Sequence, residues 1–105
     1  MELTDKNFEE EVLKSELPVF VDFWGSWCPP CKMTEPIVSE LEKEYDGKVK
    51  IGKLNIDKYP SVASRYAISG VPTFITIKNG KEVAREIGAK SKKQLRELIE
   101  SALGS

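Results

Sequence analysis

The chain has 105 residues and a formal net charge of −1 at pH 7, from 16 basic and 17 acidic residues that are interspersed rather than grouped. A chain of this length buries roughly two thirds of its unfolded surface as one domain, here residues 1–105, and needs no disulfide or metal to fold. The mixed charges exclude a basic stripe for nucleic acid, and no apolar run approaches the ~18 residues of a membrane span.

The first predicted elements are a short helix and a buried strand. Asn7, with Glu10 three residues later, resembles a capping box at the start of a helix whose apolar face carries Phe8, Val12 and Leu13. Pro18 ends this region, and the strand 19–24 that follows is apolar on both alternating faces apart from Asp22. Such a strand is covered on both sides, which is typical of a central strand in a layered α/β sheet.

The next predicted element is a long helix that begins at a pair of cysteines, Cys28 and Cys31. Asp46-Gly47 ends this helix, and its apolar face carries Ile37, Leu41 and Tyr45. Pro36 lies inside it, where the missing N–H predicts a kink.

The second half of the chain contains a strand, a helix, a hairpin and a final helix. We predict strands over 49–56, 73–78 and 82–87, and a short helix over 61–66. Asn79-Gly80 between the last two strands is the strongest short hairpin signal. Ser91 and Gln94 then cap a final helix whose apolar face is formed by Leu95, Leu98, Ile99 and Ala102. This order predicts an α/β fold with parallel strands and an antiparallel edge.

Cys28-Pro29-Pro30-Cys31 is the motif that by itself suggests a reaction. Two thiols separated by two residues can form a small disulfide ring and reopen it, which passes two electrons to or from another disulfide. The chain has no other cysteine and no histidine, which excludes Ser-His and Cys-His nucleophile pairs and His-based metal sites. In a chain without a secretion signal, such a pair is more often catalytic or metal-binding than structural.

The two cysteines are expected to differ in role because they differ in position. Cys28 lies at or near the helix N-cap, where unpaired amides and the helix dipole stabilise an anion and lower the pKa of the thiol. Cys31 lies three residues further on and is expected to be more buried. We therefore expect Cys28 to attack the substrate and Cys31 to resolve the mixed disulfide. Pro29 and Pro30 fit the first helical turn, where absent N–H groups cost little.

Two other interpretations of the Cys pair stay open. The cysteines can be small buried apolar residues at a helix start, without redox chemistry. A zinc site within one chain needs two more Cys or His ligands, which this chain lacks. A metal or cluster shared between two chains remains compatible with the sequence.

Asp22 is the most informative residue outside the Cys pair. A carboxylate in the middle of an apolar strand loses its solvation, which favours the neutral form and raises the pKa. Such a group is suited to accept or donate a proton near neutral pH. The alternative is a partly solvated Asp near the strand end that makes a structural hydrogen bond.

Several segments of the chain occur together in the order and spacing of one known family. They are Val21-Asp22-Phe23-Trp24, Trp27-Cys28, Pro30-Cys31-Lys32-Met33, Pro36, Lys53-Leu54-Asn55-Ile56-Asp57, Gly70-Val71-Pro72-Thr73, Lys78-Asn79-Gly80 and Gly88-Ala89. Over nearly its whole length the chain resembles the thioredoxin family. The resemblance implies the thioredoxin fold, with a mixed sheet of four to five strands and about four helices. Because only Met1-Glu2-Leu3 precedes the first helix region, we expect the first strand to be short or missing.

The resemblance also implies roles for site residues. Pro72 corresponds to a cis-proline that faces the disulfide, and the preceding Val71 offers backbone hydrogen bonds to an extended substrate segment. Asp22 corresponds to a buried acid that exchanges a proton with Cys31 through water. Lys53 on the adjacent strand corresponds to the partner of Asp22.

An apolar face around Cys28 that docks protein substrates is implied as well. Its residues are Trp27, Pro29, Pro30, Ile56, Gly70, Val71, Ile87 and Gly88. Ordinary core or surface packing is the alternative for each of them. Trp24 is expected in the core beneath the site, and Lys32 is expected to be a solvated charge.

The function that the resemblance implies is a thiol–disulfide oxidoreductase that reduces protein disulfides. Its partners are disulfide-containing proteins and a thioredoxin-reductase-type enzyme that restores the dithiol, and we expect a cytoplasmic monomer with no cofactor, metal, nucleic acid or membrane partner. One alternative is a more oxidising glutaredoxin-like or disulfide-isomerase-like exchange protein. The other is a thioredoxin-fold binding or chaperone module in which the dithiol is incidental.

Pro29 departs from the family, which usually has Gly at this position. Loss of the Pro29 amide near the Cys28 sulfur would raise the thiol pKa and favour the disulfide. Conversely, two consecutive prolines stiffen the loop and strain the closed ring, which favours the dithiol. The sequence leaves the reduction potential open, since 30 mV corresponds to only ~1.4 kcal/mol for a two-electron couple.

Overall fold

Five strands form one mixed sheet in the computed structural model, which describes residues 1–104. Its spatial order is β1-β3-β2-β4-β5, and the strands are β1 (Glu2–Leu3), β2 (Val19–Trp24), β3 (Lys50–Asn55), β4 (Thr73–Lys78) and β5 (Lys81–Ile87). The helical elements are a π-helical turn (Glu9–Leu13), α1 (Pro29–Glu44), α2 (Pro60–Arg65) and α3 (Lys92–Leu103). The predicted α/β fold is therefore confirmed, and its short first strand is present.

Strand β2 lies at the centre of the sheet, as its two apolar faces predicted. It runs parallel to β3 and antiparallel to β4. One face contributes Val21 and Phe23 to a first core with the N-terminal segment, and the opposite face contributes Phe20 to a second core with α1 and α3. Because side chains alternate along a strand, Asp22 shares the face of Phe20, beneath α1.

The two-residue strand β1 completes the sheet beside β3. Leu3 is fully buried there, and Gly52 makes room for it, since a Cβ atom at residue 52 would lie only 2.7 Å from Leu3 Cδ1. The same pairing places Glu2 in register with Lys53. A very short segment before the first helical turn is thus enough to form a fifth strand.

The capping box predicted for Asn7 and Glu10 is wrong. The Asn7 side chain instead accepts a hydrogen bond from the Thr4 amide at 2.7 Å, and the Thr4 hydroxyl accepts one from the Asn7 amide at 3.1 Å. The Asn7 amide, which Glu10 would bind in a capping box, is thus already paired, and Glu10 pairs with Lys14 at 3.5 Å. The turn that follows is π-helical and has no side-chain cap.

The remaining elements follow the predictions closely. Helix α1 continues through Pro36 without interruption, and the predicted kink there stays a prediction. The hairpin turn at Asn79-Gly80 has positive φ angles of 53° and 77°, which Asn and Gly tolerate best. Strand β5 begins at Lys81, just before the predicted start. Within residues 1–104, none of the helices has the length and apolar character needed to cross a bilayer.

Helix α3 begins with the capping box predicted at Ser91 and Gln94. The Ser91 hydroxyl accepts a hydrogen bond from the Gln94 amide at 3.2 Å, and the Gln94 side chain accepts one from the Ser91 amide at 2.9 Å. The helix buries the predicted apolar residues Leu95, Leu98, Ile99 and Ala102.

We predict that Ser91→Ala lowers the free energy of unfolding by about 1 kcal/mol, because the Gln94 amide loses its acceptor. Chemical denaturation of the oxidised protein measures this change. Ser61→Ala, at an exposed position in the first turn of α2, is the control and should change the free energy by less than about 0.5 kcal/mol. Equal effects of the two substitutions would contradict the capping role of Ser91.

Candidate active site

The Cys pair forms a disulfide where β2 leads into α1. Cys28 and Cys31 are bonded through their sulfur atoms, and their Cα atoms are 5.2 Å apart, within the range that a disulfide spans without backbone movement. Cys28 is the N-cap residue of α1, as predicted, with an extended backbone (φ −134°, ψ 93°). The structure is therefore the oxidised state of the couple.

The first turn of α1 offers few amides to an anion. Pro29 and Pro30 have no N–H. The Cys31 amide donates to Cys28 Sγ at 3.2 Å, and the Lys32 amide donates to the Cys28 carbonyl oxygen at 3.2 Å. Of the first three helical residues, Cys31 is thus the one whose N–H interacts with the Cys28 sulfur.

The two cysteines are almost equally buried, so the expectation that Cys31 is the more buried is wrong. Cys28 is 5% exposed and Cys31 is 6% exposed, because the closed ring holds both sulfur atoms at a similar depth. They differ in their surroundings instead. Cys28 packs near Gly25, on the side where Val71 also approaches, whereas Cys31 lines a cavity.

Asp22 is buried close to the Cys pair. The residue is 3% exposed, and its Oδ1 atom has no hydrogen-bond partner within residues 1–104. Burial raises the pKa of Asp22 to about 7; the positive charge of Lys53 opposes this rise, and the negative charge of Glu35 adds to it. A carboxyl group with this pKa exchanges protons readily near neutral pH, and its burial contradicts the alternative of a partly solvated Asp.

Asp22 and Cys31 line the same cavity, whose volume is about 120 Å³. The other lining residues are Trp24, Gly25, Lys32, Glu35 and Lys53. The lining combines apolar surface with charged side chains, and the volume exceeds the ~10–15 Å³ that one water molecule needs. Proton exchange between Cys31 and Asp22 therefore does not require direct contact.

Lys53 lies beside Asp22 in the register of β2 and β3, as expected, but its ion-pair partner is another residue. Its Nζ atom is 3.2 Å from Glu35 Oε1, and within residues 1–104 no ion pair joins Lys53 to Asp22. Glu35 is absent from the predicted site. Its position four residues after Cys31, on the same helix face, is a signal that would have identified it.

Trp24 differs from expectation, whereas Lys32 follows it. Trp24 is half-buried and lines the cavity instead of the core, because it is the last residue of β2 and lies at the edge of the packed region. Lys32 is exposed, as expected, but it also contributes to the cavity wall.

The loop before β4 brings a cis peptide bond close to the Cys loop. The Val71–Pro72 bond is cis, and Pro72 is buried, with its carbonyl oxygen accepting a hydrogen bond from the Gly88 amide at 2.8 Å. Val71 Cγ2 lies 3.4 Å from the position that a Cβ atom on Gly25 would occupy. No backbone hydrogen bond of Val71 is found within residues 1–104.

The residues predicted to form the docking face differ in exposure. Trp27 is 94% exposed and Ile87 is 52% exposed, so both present apolar surface to solvent. Gly70 lies beside Ile87, whose Cγ2 is 3.8 Å from the position of a Cβ on residue 70. Exposed or half-buried positions are also found for Pro29, Pro30 and Gly88. Ile56 packs partly against the first core, so its contribution to the exposed face is small.

A hydrogen-bonded tether that was not predicted holds the loop before Cys28. The Asp57 carboxylate accepts a hydrogen bond from the Ser26 amide at 2.8 Å, and Asn55 Nδ2 donates to Ser26 Oγ at 3.4 Å. The Asn55 side chain also accepts from the Asp57 amide at 2.8 Å. The end of β3 thereby fixes the chain that leads to the N-cap.

We predict that Asp22→Asn stabilises the oxidised protein at about pH 8 but hardly at about pH 4. The pKa of Asp22 is raised from 3.8 to about 7 in the folded protein, so between these values the folded state binds more protons than the unfolded state. The free energy of unfolding of the wild type therefore falls as the pH rises through this range and levels off above it. The neutral amide avoids this loss, which reaches up to about 4 kcal/mol at ~1.36 kcal/mol per pKa unit.

Urea denaturation across this pH range measures the difference between Asp22→Asn and the wild type. Asp46→Asn, which removes an exposed charge just after α1, is the control and should follow the wild-type pH dependence. A stability difference for Asp22→Asn that stays constant with pH would show that Asp22 is not a buried acid of raised pKa.

Comparison with known proteins assigns the family. The thioredoxin family model matches residues 1–101. Thioredoxin from Rickettsia bellii is 50% identical over 97 residues, which cover 92% of each chain. Thioredoxins from Synechocystis sp. and Buchnera aphidicola are 46% identical over 102 residues and 47% identical over 100 residues, covering 97% and 95% of this chain and 95% and 93% of theirs. With its mixed five-stranded sheet and its disulfide at the start of α1, the chain belongs to the thioredoxin family.

Proposed function

We propose that the chain reduces protein disulfides by thiol–disulfide exchange at Cys28 and Cys31. The observation that carries this proposal is a disulfide at the N-terminus of α1, one of whose cysteines shares a cavity with a buried acid. Membership of the thioredoxin family supports the same chemistry.

The first step is the attack of the Cys28 thiolate on a substrate disulfide. A bond forms between Cys28 Sγ and one substrate sulfur, and the substrate disulfide breaks. The other substrate sulfur leaves as a thiolate and takes a proton from solvent. The N-cap position and the Cys31 amide, 3.2 Å from Cys28 Sγ, favour the anion that this step requires.

The second step resolves the mixed disulfide. The Cys31 thiol transfers its proton to Asp22 through water in the shared cavity, and the resulting thiolate attacks Cys28 Sγ. The Cys28–Cys31 disulfide forms, the mixed disulfide breaks, and the second substrate sulfur leaves and takes a proton from solvent. Asp22 then returns its proton to solvent, so two electrons and two protons pass to the substrate in total.

We propose that an extended substrate segment docks beside Cys28. The unpaired backbone groups of Val71 support main-chain pairing with such a segment, and Pro72 holds Val71 at this place. Trp27 adds a large exposed apolar side chain next to Cys28. The remaining docking residues in this proposal are Pro29, Pro30, Ile56, Gly70, Ile87 and Gly88.

A separate reductase of the thioredoxin-reductase type returns two electrons and two protons to the disulfide. Thiol–disulfide exchange needs only the two sulfur atoms, so the proposed function includes no bound cofactor. We propose a single thioredoxin domain over residues 1–105 that acts as a cytoplasmic monomer on disulfide-containing proteins.

We predict that Cys28→Ser abolishes reduction of a protein disulfide, because no thiolate remains that can attack it. Cys31→Ser should instead form a mixed disulfide through Cys28 and fail to release the substrate. Both outcomes are measured by intact-protein mass spectrometry, after the reduced wild type or either reduced variant is mixed with a small disulfide-bonded protein.

The variant with both Cys28→Ser and Cys31→Ser separates exchange from a binding role. An exchange role is lost in this variant, and that loss supports the proposed reductase. A binding or chaperone role does not need the thiols, so its survival in this variant would identify a module with an incidental dithiol, and the proposed function would be wrong.

Pro29 is proposed to have little effect on the reduction potential. It is the first helical residue of α1, whereas N-cap side chains accept from the amides of the second or third helical residue. Cys31, the third, already donates to Cys28 Sγ. The amide that is missing at Pro29 is therefore one that the Cys28 sulfur would not use.

We predict that Pro29→Gly changes the midpoint potential by less than about 30 mV, or about 1.4 kcal/mol. Equilibration in graded thiol/disulfide buffers measures the potential, with Trp24 and Trp27 fluorescence as the reporter. Pro60→Gly, the same change at the first residue of α2, is the matched control and should leave the potential unaltered.

The wild-type potential also tests the class of exchange protein. A value near the about −270 mV known for thioredoxin supports a general reductant, whereas one near the about −180 mV of protein disulfide isomerase would indicate the more oxidising alternative. A shift for Pro29→Gly well above that for Pro60→Gly would contradict the argument from the N-cap amides.

A further inference from the structure

Glu35 is a charged residue at the candidate site to which the proposed reaction assigns no role. It lines the cavity that contains Asp22 and Cys31, and it follows Cys31 by one helical turn in α1. Its Oε1 atom is 3.2 Å from Lys53 Nζ, and its side chain is 62% exposed. Glu35 therefore lies at the solvent end of the cavity, whereas Asp22 lies at the buried end.

Two carboxylates, those of Asp22 and Glu35, are neighbours of Lys53. The register of β2 and β3 places it directly beside Asp22, yet its ammonium group pairs with Glu35. As a result, Asp22 Oδ1 is buried without a hydrogen-bond partner within residues 1–104. A buried carboxylate that lacks both a donor and a salt bridge is poorly stabilised as an anion.

We propose that Glu35 is a positioning residue for disulfide exchange: its carboxylate holds the Lys53 ammonium at the mouth of the cavity and away from Asp22, which keeps Asp22 an effective proton acceptor for Cys31. The proposal rests on the function proposed above. Glu35 touches neither the substrate nor the sulfur atoms in this proposal, and it acts on the reaction through Lys53.

The charges around Asp22 support this role. The charged residues that line the cavity are Lys53 from β3 and Lys32 and Glu35 from α1, while β4 places the uncharged Phe74 opposite Asp22. Glu2 on β1 is in register with Lys53, on the side away from Asp22. Lys53 is thus the positive charge nearest to Asp22 along the sheet, and its position relative to Glu35 decides how strongly it stabilises the Asp22 anion.

Removal of the Glu35 charge acts on Asp22 in two ways that have the same sign. The Lys53 ammonium becomes free to approach Asp22, and the repulsion between the two carboxylates disappears. Both changes favour the charged form of Asp22 and lower its pKa. A general base of lower pKa accepts a proton less readily from a thiol, so resolution by Cys31 is expected to slow at pH values where Asp22 is deprotonated in both proteins.

The competing explanation is an ordinary surface salt bridge. Exposed ion pairs contribute little to stability and often nothing measurable, and Glu35 is largely exposed. In that case its removal would leave the titration of Asp22 unchanged. The two explanations therefore predict different pKa values for Asp22 once the Glu35 charge is removed.

The test is the titration of the Asp22 carboxyl group, followed by carbon-13 NMR of the oxidised protein labelled at aspartate. With Glu35→Gln we expect the pKa of Asp22 to fall by about 1. Glu40→Gln is the matched control, because it removes the same charge from an exposed position on α1 that pairs with Lys92. Glu40→Gln should leave the pKa of Asp22 at its wild-type value. An unchanged pKa of Asp22 in Glu35→Gln would overturn the proposal.

The same titration with Lys53→Met, alone and combined with Glu35→Gln, tests whether Glu35 acts through Lys53. We expect Glu35→Gln to lower the pKa of Asp22 by less than half as much when residue 53 is uncharged, since only the direct repulsion is then lost. An equal fall in both backgrounds would show that Glu35 acts by its own charge, and the positioning role would be wrong.

The pH profile of disulfide reduction then connects the titration to the reaction. In Glu35→Gln the acid limb of this profile is expected to move to lower pH together with the Asp22 titration, whereas Glu40→Gln should retain the wild-type profile. Because the NMR titration needs no substrate, its failure overturns the role of Glu35 even if reduction proceeds. A shifted titration in a protein that reduces no disulfide would overturn the proposed function instead.

Discussion

Strand β2 is covered on both faces, and the candidate site depends on that constraint. Neighbouring strands on both sides and helices α1 and α3 on one face leave Asp22 almost without contact to solvent. Since an unpaired carboxylate is costly to bury as an anion, the packing that stabilises the sheet also raises the pKa of Asp22 to about 7. Strand β2 therefore contributes to the core as well as to the candidate site, because Val21 and Phe23 on either side of Asp22 belong to the first core.

The same strand determines where the sulfur atoms lie. β2 ends at Trp24 and α1 begins just after Cys28, so the loop between them is short and carries Cys28 to the helix N-terminus. The tether from Asp57 to the Ser26 amide fixes this loop from the side of β3. Two of the first three residues of α1 are prolines without an N–H. The third, Cys31, has an amide that donates to Cys28 Sγ.

Most of the fold could be predicted because its signals are local. The alternation in β2, the box at Ser91 and Gln94 and the turn at Asn79-Gly80 each depend on residues that lie within a few positions of one another. The predictions failed where the outcome depends on the packing of distant segments, as for the burial of Cys31 and Trp24, or where a side chain had more than one possible partner. Asn7 is the clearest case: its sequence context matches a cap for the following turn, but its side chain accepts from the Thr4 amide and its own amide donates to the Thr4 hydroxyl.

The sequence by itself determined that two thiols meet a helix N-terminus and that an acid lies inside an apolar strand, because periodicity and capping are properties of neighbouring residues. Only the tertiary structure decided how the charges around that acid are arranged. Lys53 pairs with Glu35 and leaves Asp22 Oδ1 without a partner, since the distance from β3 to α1, and not any local pattern, sets which carboxylate its ammonium group reaches.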